Sequence, residues 1–262
     1  MNQSSSLYQV SFQRWVAPLA LLGGLLLLWQ AAVSLTGVPR WLLPAPTDVA
    51  VALVEDRRLL AENAVVTLWE VLIGFVIAVM AGVGCGILIT RFPLLDRALY
   101  PLIIASQTVP VPAIAPLLLV WFGYGLLPKV LVTALVGFFP LVVNTVEGVR
   151  GTDREVVNLL RAFGAPPGRV FRLAEFPSAL PSIFAGARIA VAICVIGAVF
   201  GELVGAKAGL GYLLTRSIAQ FETPRMVAAI FLLAVMGASL FALVGLVERV
   251  VLPWRRYVTA SP

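Results

Sequence analysis

The stretch VLIGFVIAVMAGVGCGILIT, residues 71–90, contains no charged residue and has the length of about 20 apolar residues that a helix needs to cross a bilayer. Small residues recur at every fourth position along it, at Gly74, Ala78, Gly82 and Gly86. Residues four positions apart lie on one face of a helix, and in lipid a face of small residues lets two helix backbones approach closely. The stretch therefore predicts a transmembrane helix that packs tightly against a second one.

The rest of the chain is similarly apolar. Of its 262 residues 60% are hydrophobic and only 12% are charged, whereas a soluble domain has about 25% charged residues. Because the apolar residues are gathered in long uncharged runs, we expect an all-α integral membrane protein with about six transmembrane helices. The expected spans are residues 16–35, 67–90, 98–122, 129–147, 178–202 and 226–248.

The first run has a competing interpretation as a secretory signal peptide, because a short polar segment that ends in Arg14 precedes it. The run is longer than the core of about 7–15 residues that is typical of such signals, so a retained span is favoured. The expected organisation is an N-terminal tail, residues 1–15, one transmembrane domain, residues 16–250, and a C-terminal tail, residues 251–262.

The distribution of basic residues predicts the orientation in the membrane. Six spans place both termini on one side. If that side is the cytoplasm, twelve of the 19 basic residues are cytoplasmic and seven are not. Because basic residues are enriched in cytoplasmic loops, we expect both termini in the cytoplasm, together with the loop of residues 148–177.

The third expected span is interrupted by proline. It contains Pro101, Pro110, Pro112 and Pro116. Proline inside a helix removes a backbone donor and clashes with the preceding turn. We therefore expect a bend or break near residues 107–112, where the freed carbonyl groups face protein or a cavity rather than lipid.

The loop between the fourth and fifth spans has the pattern of two short helices joined at a glycine. Thr152 and Glu155 fit a capping box at the start of the first helix. Gly164 stands where a residue in the left-handed conformation would end that helix. Pro166 and Pro167 suit the first turn of the second helix.

The first of these two helices is amphipathic, because Val156, Leu159, Leu160 and Phe163 recur with helical spacing. The second helix is expected to end at Pro177, where the chain re-enters the membrane. A short apolar face of this kind can dock in a groove of a partner protein. The alternative is a loop that packs beneath its own helix bundle, and spacing alone leaves both interpretations open.

This loop resembles the cytoplasmic signature of the membrane permease subunits of binding-protein-dependent ABC importers. That signature reads Glu-Ala-Ala, three residues, Gly, nine residues, Ile-x-Leu-Pro. Gly164, Pro177 and every spacing match it. The residues that differ from it are Asn158, Leu159, Leu160, Ala174 and Phe176.

A longer stretch, roughly residues 43–212, resembles the nitrate, sulfonate and taurine group of these importers. Within that group, the sequences Gln107–Pro110 and Trp121–Gly125 of the third span most resemble those of permeases for thiamine-pyrimidine precursors or riboflavin. The matching segments are Leu43-Pro44-Ala45-Pro46, Gln107-Thr108-Val109-Pro110, Trp121-Phe122-Gly123-Tyr124-Gly125, Phe138-Phe139-Pro140 and Phe184-Ala185-Gly186-Ala187-Arg188.

The resemblance implies the type I ABC importer permease fold, with a cytoplasmic coupling helix pair, in the bacterial cytoplasmic (inner) membrane. Besides the lipid bilayer, it implies a second permease copy in a homodimer, a cytoplasmic ABC ATPase dimer and an extracytoplasmic substrate-binding protein. The segment of residues 205–212 resembles the external gate of the family. The residues expected to couple the chain to the ATPase are Asn158, Leu159, Leu160, Arg161, Phe163, Gly164 and Ala165.

Polar residues in or beside spans are candidates for the translocation pathway, because such residues usually face the interior of a helix bundle. The candidates are Gln107, at the expected break, together with Pro110, Asn144 and Glu202. A structural hydrogen bond is the alternative for each polar candidate, and also for Glu70, which lies near a span end.

Several chemistries are disfavoured by missing residues. The chain has no Gly-Lys pair and so no phosphate-binding P-loop, which places ATP hydrolysis on a separate subunit. It has no histidine, the commonest general base and metal ligand, so we expect no enzyme activity, metal or cofactor. Nucleic-acid binding is not expected either. The alternatives are a secondary transporter that works without an ATPase and, less favoured, a membrane enzyme.

Overall fold

The computed structural model describes residues 4–254, with side chains from residue 17 onward apart from residue 19. Residues 1–3 and 255–262 of the expected tails lie outside the described residues. The described range is helical and contains no strand. Its helices are α1 Ser4–Thr36, α2 Pro46–Glu55, α3 Arg57–Arg91, α4 Pro93–Ser106, α5 Val111–Phe122, α6 Leu126–Arg150, α7 Arg154–Ala162, α8 Pro167–Val170, a π turn Phe171–Glu175, α9 Phe176–Gly205, α10 Leu210–Ala219 and α11 Thr223–Val251.

Four helical segments are long and apolar enough to cross a bilayer, namely α3, α6, the continuous helix Pro167–Gly205 and α11. Helices α4 and α5 meet the same criterion together, as a pair bent by 100°. These five coincide with the second to sixth expected spans, and the all-α membrane class is confirmed. The first expected span lies within α1, whose described apolar part, Ala20–Thr36, is shorter, so the count of six remains a prediction.

The chain divides into two compact units. The first contains the residues up to Leu60 together with Leu214–Ile230. Within it, Arg225 donates two hydrogen bonds to the carboxylate of Asp56, at 2.7 and 3.0 Å, and so joins the start of α11 to the end of α2. The second unit contains residues 61–213 and the chain from residue 231 onward.

In the second unit, the small residues of α3 lie against α6. A Cβ atom added at Gly74, Gly82 or Gly86 would come within 2.5 to 2.7 Å of a side-chain atom of α6, closer than such atoms can approach. Ala78, the fourth small residue of this face, is fully buried. The predicted packing face is therefore confirmed, and its partner is α6.

Helix α6 packs along α9 in the same way. A Cβ atom at Gly137 of α6 would lie 2.6 Å from the sulfur of Cys194, and one at Gly186 of α9 would lie 2.7 Å from the Cβ of Asn144. Gly197, three turns further along α9, also meets α6. Helix α6 thus contacts α3 on one face and α9 on another, and both contacts depend on glycine.

Helix α11 is joined to α9 by an ion pair inside the unit. The guanidinium of Arg188 lies 2.5 Å from the carboxylate of Glu248. Gly245 leaves room for it, because a Cβ atom there would lie 3.0 Å from a guanidinium nitrogen. Pairing offsets much of the cost of placing each charge in a weakly polar surrounding.

One end of the core formed by α3, α6 and α9 is marked by two ion pairs, and we call it the Arg91 end. Arg91, the last residue of α3, lies 3.9 Å from Glu175 in the π turn that precedes α9. Arg150, the last residue of α6, pairs with Asp96 in the first turn of α4, and its guanidinium lies 5.0 Å from the ring centre of Tyr100.

The opposite end is marked by Glu70 of α3, which accepts a hydrogen bond of 2.7 Å from Lys129 in the first turn of α6, and we call it the Glu70 end. Gly205, where α9 ends, lies against Leu119 and Tyr124 from α5 and the turn after it. Because α4 begins at the Arg91 end and α5 ends at the Glu70 end, the bent pair crosses the core. The expected break within a span is therefore confirmed.

The contrast between two glycines of α3 tests the packing. We expect Gly82→Ala to lower the stability by about 1–3 kcal/mol, because its Cβ atom would lie 2.7 Å from that of Leu141 and 3.0 Å from the carbonyl oxygen of Phe138. Gly84→Ala is the matched control, since no atom lies within 4 Å of its Cβ position and alanine favours a helix by about 1 kcal/mol.

The measurement is the thermal unfolding of the detergent-solubilised protein. The melting temperature should fall for Gly82→Ala and stay equal or rise for Gly84→Ala. Equal melting temperatures for the two variants would mean that α3 and α6 are not in close contact.

Candidate functional site

Helix α7 begins one residue later than the sequence pattern predicts. Its N-cap is Asp153, whose carboxylate accepts a hydrogen bond of 2.8 Å from the N–H of Glu155. Thr152 instead donates its hydroxyl to the carbonyl of Val149 at 2.9 Å and so closes the turn before the helix. The predicted capping box of Thr152 and Glu155 is therefore wrong. Aspartate is among the most effective N-cap residues, and it takes that position here.

The apolar face of α7 is uncovered in the single chain. No residue of this helix is buried. Val156 and Leu159 are exposed, Phe163 at the C-cap is 81% exposed, and Leu160 is half-buried. The three exposed side chains therefore do not pack beneath the described helices. The exposed part of this apolar face therefore has no covering element among the described residues.

Gly164 ends α7 as predicted, and its role lies in the backbone. Its φ angle is +74°, in the left-handed region. The N–H of Gly164 donates to the carbonyl of Arg161 at 2.9 Å, and that of Ala165 donates to the carbonyl of Leu160 at 3.0 Å. These two bonds form a Schellman motif. No atom lies within 4 Å of the Cβ position, so glycine is required by the φ angle and not by lack of space.

The second helix of the loop begins at Pro167 as predicted, but its predicted end at Pro177 is wrong. The helix continues from Pro167 to Gly205. The π turn Phe171–Glu175 lies directly before the first turn of α9, which contains Pro177. A π turn shifts the hydrogen-bond register by one residue, and with this shift just before Pro177 the helix passes the proline without stopping.

The π turn is attached to the end of α3. The guanidinium of Arg91 lies 4.2 Å from the ring centre of Phe171 and 3.9 Å from Glu175. A cation above an aromatic ring is attracted by the ring face, and the carboxylate adds a second attraction. The loop that contains α7 is thus joined to two helices of the core, to α9 by continuous backbone and to α3 by Arg91.

A cavity of about 470 Å³ lies beside the break between α4 and α5. Gln107 is one of its lining residues, and Pro110 is the N-cap of α5 at the same break. Asn144 does not line the cavity; its amide donates to the carbonyl of Pro140 at 2.8 Å, one turn back in α6. Of the predicted pathway residues, the structure brings Gln107 and Pro110 together and leaves Asn144 and Glu202 apart from them.

Glu202 is buried at the other end of the core among polar groups of α3 and α10. The hydroxyl of Thr67 donates to one carboxylate oxygen of Glu202 at 2.6 Å, and the N–H of Gly211 donates to the other at 2.5 Å. The oxygen of Thr67 also accepts a hydrogen bond of 2.8 Å from the N–H of Leu210. The carboxylate therefore joins α3 and α9 to the start of α10.

The segment between α9 and α10 fits around this carboxylate. The N–H of Gly209 donates to the side chain of Asn63 at 2.8 Å. Gly209 has a φ angle of +119°, and a Cβ atom there would overlap the carboxylate of Glu202. We call this set the Glu202 network: Asn63, Thr67, Glu70, Lys129, Glu202 and the backbone of residues 209–211.

Sequence reasoning did not identify three members of the Glu202 network, namely Asn63, Thr67 and Lys129. Asn63, Thr67 and Glu70 are spaced i, i+4 and i+7, which places them on one face of α3. A polar face at the start of an apolar helix was the available signal. The hydrogen bonds of Glu70 and Glu202 are of the structural kind that was the alternative to a pathway role.

A threonine pair on α3 tests the Glu202 network. Thr67→Val keeps the shape of the side chain but leaves a carboxylate oxygen and the N–H of Leu210 without partners, so the free energy of unfolding should fall by about 1–3 kcal/mol. Thr90→Val is the control, because the hydroxyl of Thr90 donates only to the carbonyl of Ile87 in its own helix.

Thermal unfolding and amide hydrogen exchange at residues 205–211 provide the readout. Thr67→Val should lower the melting temperature and speed exchange in this segment, and Thr90→Val should do neither. A Thr67→Val protein with unchanged exchange would show that the network does not order the segment.

Residues 74–252 match the family described as binding-protein-dependent transport system inner membrane component. The chain is 38% identical to the formylaminopyrimidine transport permease protein ThiX of Halalkalibacterium halodurans, over 88% of this chain and 93% of that protein. It is 39% identical to the riboflavin transport system permease protein RibX of Chloroflexus aurantiacus, over 88% and 87%. It is 32% identical to the putative aliphatic sulfonates transport permease protein SsuC of Escherichia coli, over 91% and 92%.

Among solved structures, the MetNI methionine ABC transporter in inward-facing conformations has a similar fold. The TM-score is 0.67 at 19% sequence identity, over 75% of this chain and 98% of the matched chain. At this identity the likeness concerns the fold alone, and it agrees with the expected permease architecture. The family match covers most of the described helices, from α3 through α11. The chain therefore belongs to the family of binding-protein-dependent transport system inner membrane components.

Proposed function

We propose that the chain is the permease subunit of an ATP-driven importer that carries a small organic nutrient across the bacterial cytoplasmic membrane. Membership of the family supports a membrane component that works with a binding protein. The relatives named for transport of formylaminopyrimidine, riboflavin and aliphatic sulfonates support a small organic cargo. The working assembly contains two copies of this chain, a cytoplasmic ABC ATPase dimer and an extracytoplasmic binding protein.

The observation that carries the proposal is the uncovered apolar face of α7. Asp153 and Gly164 fix the two ends of this helix, and Val156, Leu159 and Phe163 remain exposed. An amphipathic helix of this kind binds by laying its apolar face in a groove. This chain has no P-loop, so ATP is bound by a separate subunit. We assign the groove to that ATPase subunit.

The docked surface comprises the end of α7 and the turn that follows. Leu159 and Phe163 supply the apolar contact, and Arg161 supplies charge at its edge. The Schellman motif of Gly164 sets the direction in which the chain leaves the groove. The proposed coupling residues are Asn158, Leu159, Leu160, Arg161, Phe163, Gly164 and Ala165.

The continuous backbone after Gly164 connects movement of α7 to the other end of the core. When the ATPase pair closes on ATP, it moves α7, and the turn at Gly164 passes this movement to the helix Pro167–Gly205. That helix runs without a loop to the Glu202 network at the far end of the core. The contacts of Arg91 with Phe171 and Glu175 pass the same movement to α3. The pathway therefore switches between inward- and outward-facing states.

We place the Arg91 end in the cytoplasm. Arg91, Arg97, Arg150 and Arg154 lie at or beside this end along the chain, and basic residues favour the cytoplasmic side. Both termini are then cytoplasmic if α1 is the first of six spans. The Glu202 network faces the outside, where residues 205–212 lie close to the docked binding protein and act as the external gate.

The translocation pathway passes the break between α4 and α5. Gln107 and Pro110 border it there. Asn144 remains a predicted pathway residue, although its side chain lies against Gly186 at the contact of α6 with α9 and not in the cavity wall. Glu202 acts at the outer end of the pathway, through the segment that its carboxylate orders.

Two substitutions of Gly164 test the coupling. Aspartate and asparagine both tolerate the left-handed conformation better than other side chains, but only aspartate adds a charge beside the apolar face. We expect Gly164→Asp to reach the membrane, to lose co-purification with the ATPase subunit and to lower ATP-driven uptake by at least about tenfold, since a loss of about 1.4 kcal/mol of docking free energy weakens binding about tenfold. Gly164→Asn should retain most of both.

Uptake is measured in proteoliposomes that contain the whole importer and its binding protein. Retention of co-purification and uptake in Gly164→Asp would show that α7 is not the coupling element. Equal loss in the two variants would assign the effect to backbone strain and not to the docked surface.

A further inference from the structure

The cavity beside the break between α4 and α5 has no charged group in its wall. Ten of its twelve lining residues are apolar, and the other two are Ser106 and Gln107. Its volume of about 470 Å³ lies within the range of roughly 300–1,000 Å³ that is typical of small-molecule sites. Burying an ion against such a wall without a counter-charge is strongly unfavourable. Within one copy of the chain, this wall offers an anion no counter-charge, and it therefore favours an uncharged compound.

Aromatic side chains supply one side of this cavity. The rings of Phe138 and Phe139 lie 5.6 Å apart at an interplanar angle of 73°. Both are half-buried and pack against apolar residues of neighbouring helices, which fixes their orientation. Planar rings gain from offset stacking and edge-to-face contact with such side chains. A flat aromatic compound would therefore gain more here than a flexible aliphatic compound of equal volume.

The polar groups of the wall suit the edge of a nitrogen heterocycle. The hydroxyl of Ser106 already donates to the carbonyl of Ile103, whereas the amide of Gln107 has no hydrogen-bond partner among the described residues. The wall thus offers one amide, which both donates and accepts.

Glutamine and asparagine amides read the adjacent amino group and ring nitrogen of adenine in a bidentate manner. The same donor and acceptor pattern occurs on an aminopyrimidine or a flavin ring. Gln107 is exposed at the break, so its amide can reach such an edge without displacing a protein contact.

We infer that this cavity binds an uncharged, planar nitrogen heterocycle during transport, with Phe138 contacting the ring and Gln107 its polar edge. The inference rests on the proposed function, because it names the class of compound that the permease carries. The wall is built from α4, α5, α6 and α9. Because α9 is continuous with the loop that contains α7, movement of the coupling element changes the cavity and releases the ligand.

The test uses the complex of the permease with its ATPase subunits in lipid nanodiscs, without the binding protein. The probes are riboflavin, followed by its fluorescence, a radiolabelled formylaminopyrimidine, and radiolabelled taurine as the charged comparison. We expect saturable binding of at least one heterocycle and none of taurine at the same concentration.

Two variants locate the site, each with a matched control. Phe138→Leu keeps an apolar side chain and should weaken binding of the heterocycle about tenfold by removing the aromatic contact. Gln107→Leu should weaken it about fivefold by removing one or two hydrogen bonds. Phe231→Leu and Gln220→Leu, at exposed positions outside the lining, should leave the affinity unchanged.

The inference is overturned if neither heterocycle binds saturably, if taurine binds as well as they do, or if Phe138→Leu and Gln107→Leu both bind as the unmodified complex does. Each variant must first co-purify with the ATPase and hydrolyse ATP at the unmodified rate, which shows that it is folded. Failure of the proposed function has a different signature, because the unmodified chain would then neither bind the ATPase nor support ATP-driven uptake with a binding protein.

Discussion

The close approach of α3, α6 and α9 is the constraint on which the rest of the molecule depends. Lipid tails are as apolar as leucine, so helices in a bilayer are held together by van der Waals contact and polar contacts rather than by exclusion of water. Glycine faces let α6 contact a neighbour on each side, with no space for a Cβ atom at Gly82 or Gly186. Every functional feature described above is attached to an end or a wall of this three-helix core.

The core connects the loop that contains α7 to the Glu202 network through one continuous helix. The helix that follows Gly164 continues through Pro177 to Gly205, and its far end carries Glu202. Its packing against α6 through glycines leaves little slack along the way, because closely packed interiors have few voids. If α7 couples the chain to an ATPase as proposed, a movement there reaches the outer segment through this one continuous helix.

Much of this arrangement could be predicted, because it depends on local rules. The four-residue spacing on α3, the prolines of the third span and the left-handed Gly164 each have one favoured structural outcome. The helix through Pro177 could not be predicted, since a π turn depends on how the whole helix is held. The cap at Asp153 competed with an equally plausible one at Thr152. The Glu202 network joins α3, α6, α9 and α10. No local sequence pattern predicts which helices lie side by side, so this network could not be predicted.

The absence of buried side chains in α7 has an evolutionary consequence. A residue that the fold does not need can change without loss of stability, so if α7 docks on an ATPase as proposed, its exposed residues can change to match that partner. Gly164 is required by its left-handed φ angle, and it matches the family signature. Asn158, Leu159 and Leu160 do not match that signature. In the proposed mechanism, partner choice would thus be encoded mainly by side chains that the fold leaves exposed, such as Leu159 and Phe163, while Gly164 serves both the fold and the docking.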